Sequence, residues 1–131
     1  MASGRSVLIV DDEPAVTEMA RIILQGEGYT VFTASNAEIA IKRLGVITPS
    51  VILLDVNMPD QNGYQLCGRI RSDYAHIQCP IVFFTGNNTA DHLRMASDAG
   101  GDYFVIKPFS AATLVAGVKR GFTAWARKRR G

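Results

Sequence analysis

The chain has 131 residues with a formal net charge of +2, and 47% of them are hydrophobic while 20% are charged. This length suits one domain with a substantial core, and the composition is typical of a globular protein. No apolar run approaches the roughly 20 residues of a membrane span, and the polar start lacks the core of a signal peptide. We therefore expect a cytoplasmic protein with no membrane partner.

The first part of the chain alternates strand and helix signals. Residues 6–10 are predicted as a strand, and Asp12-Glu13-Pro14 is typical of a helix start with a capping acid and an early proline. Residues 29–33 are β-branched or aromatic at most positions and predict a second strand. Ser35 with Glu38 three residues later forms a predicted capping box, which opens a second helix.

The same alternation continues to the end of the chain. Three further apolar runs predict strands at residues 51–54, 80–84 and 103–106. A turn-rich loop with Asn-Gly occupies residues 55–63, and residues 87–89 offer cap candidates for a fourth helix. Apolar residues at helical spacing from Leu114 to Trp125 predict the last helix.

Strands separated by helices of about ten residues predict βαβ units with parallel pairing and right-handed crossovers. Strands 1, 3 and 4 are the most continuously apolar, as expected for strands covered on both faces. Strand 2 contains Thr30 and Thr33 and is predicted to lie at an edge. The fold class is therefore α/β, with a doubly wound parallel sheet.

Polar residues follow four of these strands directly. Asp11 and Asp12 follow strand 1, Asp55 follows strand 3, Thr85 follows strand 4 and Lys107 follows strand 5. The carboxyl ends of parallel strands meet at the edge where open α/β sheets bind ligands. We therefore expect these side chains to form one site.

Carboxylates gathered in this way repel one another, by roughly 4 kcal/mol for two charges 4 Å apart at an effective dielectric near 20. Protonation, a cation or a metal must relieve that repulsion, and oxygen ligands with room for water suit Mg²⁺. Metal, ammonium and hydroxyl together are the groups that phosphoryl transfer needs. A carboxylate can accept the phosphoryl group as an aspartyl phosphate.

Four motifs at the strand ends, VLIVDDE, LLDVNMP, FFTG and YFVIKPF, occur in the order and at the separations seen in receiver domains of two-component response regulators. The chain resembles that family over about residues 6–122. The resemblance implies a flavodoxin-like fold with a five-stranded parallel sheet of order 2-1-3-4-5. It also implies a phosphorylation-activated signalling switch that catalyses only its own phosphotransfer and autodephosphorylation.

Roles at the acidic site follow from the resemblance one residue at a time. Asp55 matches the phosphoacceptor, and Lys107 matches the lysine that pairs with the acids and then with the phosphoryl group. Asp12 matches the direct Mg²⁺ ligand beside Asp55, and Asp11 matches the acid that acts through water. Asn57 stands where a backbone carbonyl completes the metal site.

Further positions match the family's switch. Thr85 matches the switch hydroxyl, Phe104 falls at the aromatic switch position, and Pro108 is implied to follow a cis peptide bond. Phe104 replaces the more frequent tyrosine, and Tyr103 stands where a small or acidic residue is common. The implied partners are a sensor histidine kinase or phosphotransfer protein, a downstream target at the helix 4–strand 5–helix 5 face, and a phosphorylation-dependent second copy.

Three other functions are the alternatives for this site. A haloacid-dehalogenase-like phosphohydrolase also uses an aspartyl nucleophile, but it needs a second acid where this chain has Asn57. A flavodoxin must hold a phosphate in its first loop, which Asp11, Asp12 and Glu13 would repel. A pseudo-receiver that only binds partners is the third alternative, against which the complete acid, threonine and lysine set argues.

The C-terminal end is the most basic part of the chain. Arg127, Lys128, Arg129 and Arg130 supply four of the 14 basic residues, so the rest has 10 basic against 12 acidic residues. The mildly acidic body predicts no direct nucleic-acid binding. We predict a flexible tail at 1–5, a receiver domain at 6–125, and at 126–131 a basic tail or the start of a linker. A cationic helix end, a solvated linker and a polyanion patch stay open for the basic run.

Overall fold

The computed structural model describes residues 4–86 and 90–130, apart from the side chains of Ala90 and His92. Five strands and five helices alternate along this part of the chain. The strands are β1 (Ser6–Val10), β2 (Thr30–Ala34), β3 (Val51–Asp55), β4 (Ile81–Thr85) and β5 (Tyr103–Ile106). The helices are α1 (Pro14–Gly26), α2 (Ala37–Leu44), α3 (Gly63–Asp73), α4 (Ala90–Asp98) and α5 (Ala111–Arg130).

The strands form one parallel sheet in the order β2-β1-β3-β4-β5, which confirms the predicted topology. β2 is an edge strand, as its threonines predicted, and β5 is the other edge. The central strands β3 and β4 are buried along their whole length. The peptide bond between Lys107 and Pro108 is cis, as the resemblance implied.

Two apolar cores lie on opposite faces of the sheet. One core joins alternate strand residues such as Leu54 and Phe83 to α2, α3 and α4. The other joins the intervening residues, such as Leu53 and Phe84, to α1 and α5. Because strand side chains alternate between faces, continuous apolar runs supply both cores at once. No helix in the described ranges is both long and apolar enough to cross a membrane.

The start of α1 is confirmed, and the predicted cap of α2 is wrong by one residue. Pro14 is the first residue of α1 and Glu13 is its N-cap, but Glu13 makes no capping hydrogen bond with its side chain. At α2 the cap is Asn36 rather than Ser35, and the Asn36 side chain accepts a hydrogen bond from the Ile39 N–H at 2.8 Å. Ser and Asn are both good caps, so local sequence alone does not separate them. The predicted caps at residues 87–89 lie outside the described residues.

α5 continues to Arg130, so the basic residues predicted as a tail or linker form its last turn. Cations are favoured at the C-terminal end of a helix by its dipole. Tertiary contacts also hold this turn. The Lys128 ammonium donates to the Gly101 carbonyl at 2.9 Å, and the Arg129 guanidinium donates to the side-chain carbonyl of Gln78 at 2.7 Å. The last turn of α5 therefore packs on the folded body.

Candidate functional site

Three charged residues meet beyond the carboxyl ends of β1, β3 and β5. The Lys107 ammonium lies 2.8 Å from Oδ2 of Asp11 and 3.3 Å from Oδ1 of Asp55. In β1, β3 and β5, alternate residues face α1 and α5. Each of the three charged residues is the next one in that alternation, so all three lie on the same side of the sheet. The predicted meeting of Asp11, Asp55 and Lys107 is confirmed, and it arises from one register shared by three parallel strands.

Glu13 also belongs to this cluster, although its sequence position predicted no role for it there. Its carboxylate lies 2.9 Å from the Lys107 ammonium, and its N–H donates to Oδ1 of Asp11 at 2.9 Å. Carboxylate oxygens of Asp11, Asp12, Glu13 and Asp55 all lie within 4.8 Å of one another. The third acid in the Asp-Asp-Glu run was the available signal for this contact.

The pKa values of Asp55 and Lys107 are both raised, for different reasons. Burial, together with the negative charge of Asp11, raises the pKa of Asp55 to about 6, although Lys107 opposes the shift. Burial also disfavours the Lys107 ammonium, but hydrogen bonds to Asp11 and Glu13 outweigh it and raise the pKa of Lys107. The site therefore holds a permanent cation beside a carboxylate that ionises reluctantly.

The loop after β3 is fixed at two points. Asp60 accepts hydrogen bonds from the N–H groups of Ala37 and Glu38 at the start of α2, each at 3.2 Å. Burial acts to raise the pKa of Asp60, but hydrogen bonds from these two N–H groups and from further backbone donors outweigh it and lower the pKa. Nearer the site, the Asn57 N–H donates to Oδ1 of Asp55 at 3.4 Å. Oδ1 of Asp55 thus accepts a hydrogen bond from a backbone N–H and also faces the Lys107 ammonium.

Thr85 and Phe104 lie on the other face of the sheet from Lys107. Asp55 pairs in register with Phe84, and Thr85 is the next residue and the last of β4. The Thr85 residue is only 4% exposed. Phe104 pairs in register with Phe83 and packs against the core beneath α3 and α4. Strand alternation puts Thr85, Phe83 and Phe104 on this same face. The two predicted switch residues therefore share one side of the sheet, next to the acidic site.

The donor set fits Mg²⁺. The four clustered acids supply hard oxygen ligands, and Asp12 and Glu13 are exposed, which leaves room for water. Lys107 already neutralises part of the charge of Asp11 and Asp55, so the site does not need a metal for every carboxylate. The predicted ligands stay Asp12, Asp55 and the backbone carbonyl of Asn57, with Asp11 acting through water.

Comparison with known sequences identifies a family. The family model "Response regulator receiver domain" matches residues 7–119. The DNA-binding response regulator MtrA of Mycolicibacterium smegmatis is 33% identical over 113 residues, covering 86% of this chain and 48% of MtrA. The phosphate regulon transcriptional regulatory protein PhoB of Pseudomonas aeruginosa is 34% identical over 116 residues, covering 88% of this chain and 51% of PhoB. The chain thus spans about half the length of these two relatives.

Solved structures show the same fold. The chemotaxis response regulator CheY4 of Vibrio cholerae superposes with a TM-score of 0.84 at 28% identity, covering 89% of this chain and 98% of that one. A two-component response regulator from Clostridium difficile superposes with a TM-score of 0.82 at 29% identity, covering 97% of this chain and 99% of that one. The sheet order, the acidic site and the family match over residues 7–119 agree. This chain belongs to the response regulator receiver domains, the phosphorylation-dependent signalling modules of two-component systems.

Proposed function

We propose that Asp55 accepts a phosphoryl group from a partner histidine kinase or phosphotransfer protein. The observation that carries this proposal is the buried Asp55 carboxylate, held 3.3 Å from the Lys107 ammonium within a cluster of acids. Oδ1 of Asp55 makes the contacts to Lys107 and to the Asn57 N–H, so we assign Oδ2 as the nucleophile. Its bond to phosphorus forms as the bond from phosphorus to the donor atom breaks.

The residues around Asp55 position the group and balance its charge. Lys107 is anchored by Asp11 and Glu13, which hold its ammonium where it can also contact a phosphoryl oxygen on Asp55. When bound, Mg²⁺ neutralises charge on the transferring group and on the clustered acids. Asp12 and Asp55 would hold the ion directly, and the buried Asp11 would act through water.

Signalling then depends on the other face of the sheet. Thr85 turns its hydroxyl towards the phosphoryl oxygens, and Phe104 moves inward into the space beside Thr85. This changes the surface formed by α4, β5 and α5 and hence its affinity for a downstream partner. Local charge at Asp55 biases an equilibrium between two arrangements, which is the general logic of such switches.

Phosphorylation with acetyl phosphate and Mg²⁺ tests the proposal. Intact mass spectrometry should show one added phosphoryl group on the wild-type chain, and none on Asp55→Asn. Asp98→Asn is the matched control, since Asp98 is an exposed acid at the end of α4, and it should be labelled like wild type. Equal labelling of Asp55→Asn would remove that residue from the role. Labelling that persists in excess EDTA would show that phosphorylation does not need a divalent metal ion.

A further inference from the structure

Tyr103 and Phe104 are consecutive residues of β5, yet their rings stack. The ring centroids are 5.5 Å apart and the ring planes differ by 22°. Consecutive side chains of a strand point to opposite faces, and these two pack against different cores. Their rings can meet only around a strand edge with no further strand beside it. Among the strands of the described residues β5 is such an edge, so the stack wraps around the end of the sheet.

Contacts with α5 hold the Tyr103 ring in place. The Arg120 guanidinium donates a hydrogen bond to the Tyr103 hydroxyl at 3.2 Å. Gly117 lies beneath them, where an added Cβ would meet Cγ2 of Val105 at 2.3 Å and the Tyr103 ring at 4.0 Å. This glycine allows α5 to lie close against β5, which brings Arg120 within reach of Tyr103. The Tyr103 ring is therefore a fixed surface on which the Phe104 ring rests.

We propose that Tyr103 is a positioning residue that holds the Phe104 ring at the sheet edge and so opposes the inward arrangement of the switch. This rests on the proposed function of Phe104. A Phe104 ring that moves inward beside Thr85 must leave the Tyr103 ring, because the stack exists only around the free edge of β5. The stack therefore stabilises one of the two arrangements and not the other.

The stack should lower the fraction of molecules in which the Phe104 ring lies in the inward arrangement. A ligand that binds the inward arrangement has its apparent affinity reduced by the fraction of molecules in that arrangement. Removing the stack should raise that fraction and tighten binding, without any change at Asp55. From the strength of aromatic pairs, we expect roughly a two- to tenfold tightening.

Calorimetric titration with beryllofluoride and Mg²⁺ measures this effect. Tyr103→Leu should bind beryllofluoride about two- to tenfold more tightly than wild type. Tyr103→Phe is the matched control, because it keeps the ring and loses only the hydroxyl that Arg120 contacts, and its dissociation constant should stay within about twofold of wild type. Urea unfolding of each variant shows that the folded state is intact.

A double-mutant cycle separates positioning from general destabilisation. With Phe104→Leu already present, Tyr103→Leu should no longer tighten binding, since the stack is absent in both proteins. Equal affinity of Tyr103→Leu and wild type, weaker binding, or the same change with and without Phe104 would each overturn the inference. Failure of wild type to bind beryllofluoride would instead overturn the proposed function itself, as would equal binding by Asp55→Asn.

Discussion

Gly63, the first residue of α3, lies directly against the backbone of Asp55. A Cβ added at position 63 would come within 2.3 Å of the Asp55 carbonyl oxygen and 3.0 Å of its carbonyl carbon. The Gly63 N–H also donates to the Val56 carbonyl at 2.8 Å. The start of α3 is therefore a rigid support for the residue that we assign as the phosphoacceptor.

Gly63→Ala should shift the Asp55 backbone, because the atoms it meets are backbone atoms that cannot rotate away. We expect a loss of about 1–3 kcal/mol in the free energy of unfolding, measured with urea, and slower phosphorylation by acetyl phosphate. Gly68→Ala on the same helix is the control. Apart from its own neighbours in the helix, no described residue comes within 4 Å of a Cβ there, so this substitution should stabilise by about 0.5–1 kcal/mol. Unchanged stability and labelling in Gly63→Ala would contradict the close packing.

Asp55 should make the metal-free protein less stable as the pH rises. Its pKa is raised from 3.8 to about 6, so between these values the folded state binds more protons than the unfolded state. The free energy of unfolding therefore falls across this window and is lower by about 2–3 kcal/mol above it. Asp55→Asn should remove the fall and be more stable than wild type at pH 7.5 in EDTA.

Urea unfolding at pH 4, 5, 6 and 7.5 checks this expectation. The two proteins should differ little at pH 4, where Asp55 is largely protonated in the folded state, and most at pH 7.5. Millimolar Mg²⁺ should narrow the gap at pH 7.5 by stabilising wild type more than Asp55→Asn. If the free energy of unfolding rises between pH 4 and 6 more steeply for wild type than for Asp55→Asn, the predicted sign of the pH dependence is wrong.

Lys107→Met should leave two buried carboxylates without their cation. The side chain of Asp11 is fully buried and that of Asp55 is 5% exposed. Removing one partner of a buried ion pair costs about 3–5 kcal/mol, and we expect a loss of this size at pH 7.5 in EDTA. Mg²⁺ should restore part of the stability, because it supplies positive charge to the same carboxylates.

Lys119→Met is the control for this substitution, since Lys119 is an exposed lysine of α5. Its effect on the free energy of unfolding should stay within about 0.5 kcal/mol. Acetyl phosphate labelling should be slow in Lys107→Met and normal in Lys119→Met. Similar unfolding curves for the two variants in EDTA would show that Lys107 does not stabilise the acidic cluster.

A third acid with a buried side chain, Asp102, joins the end of α5 to the body. Its side chain is 1% exposed and lies 2.9 Å from the Arg71 guanidinium and 3.1 Å from the Lys128 ammonium. It also accepts a hydrogen bond from the Ile81 N–H at 2.9 Å. Asp102→Ala should cost about 3 kcal/mol, because it removes the carboxylate that balances the charges of Arg71 and Lys128 and leaves the Ile81 N–H without its acceptor. Asp98→Ala, at an exposed acid, should stay within about 0.5 kcal/mol of wild type in the same urea titration.

Much of the site was predictable because strand ends are marked in the sequence. A continuous apolar run followed by a polar residue locates the carboxyl end of a buried parallel strand, and parallel pairing then brings Asp11, Asp55 and Lys107 together. The caps show where this reasoning fails. Asn36 rather than Ser35 caps α2, and the adjacent N–H groups are held by Asp60, which lies 23 residues from Ala37. Such a partner has no local signal.

Local periodicity thus settled the α/β class, the edge position of β2 and the chemical character of the site, because burial leaves a regular pattern of apolar side chains. The ring stack of Tyr103 on Phe104 and the place of Glu13 beside Lys107 came from the fold alone. Glu13 and Lys107 are 94 residues apart, and their contact depends on the register of three strands and on where α1 begins. Which side chains touch is set by that packing geometry, which the order of residue types does not encode locally.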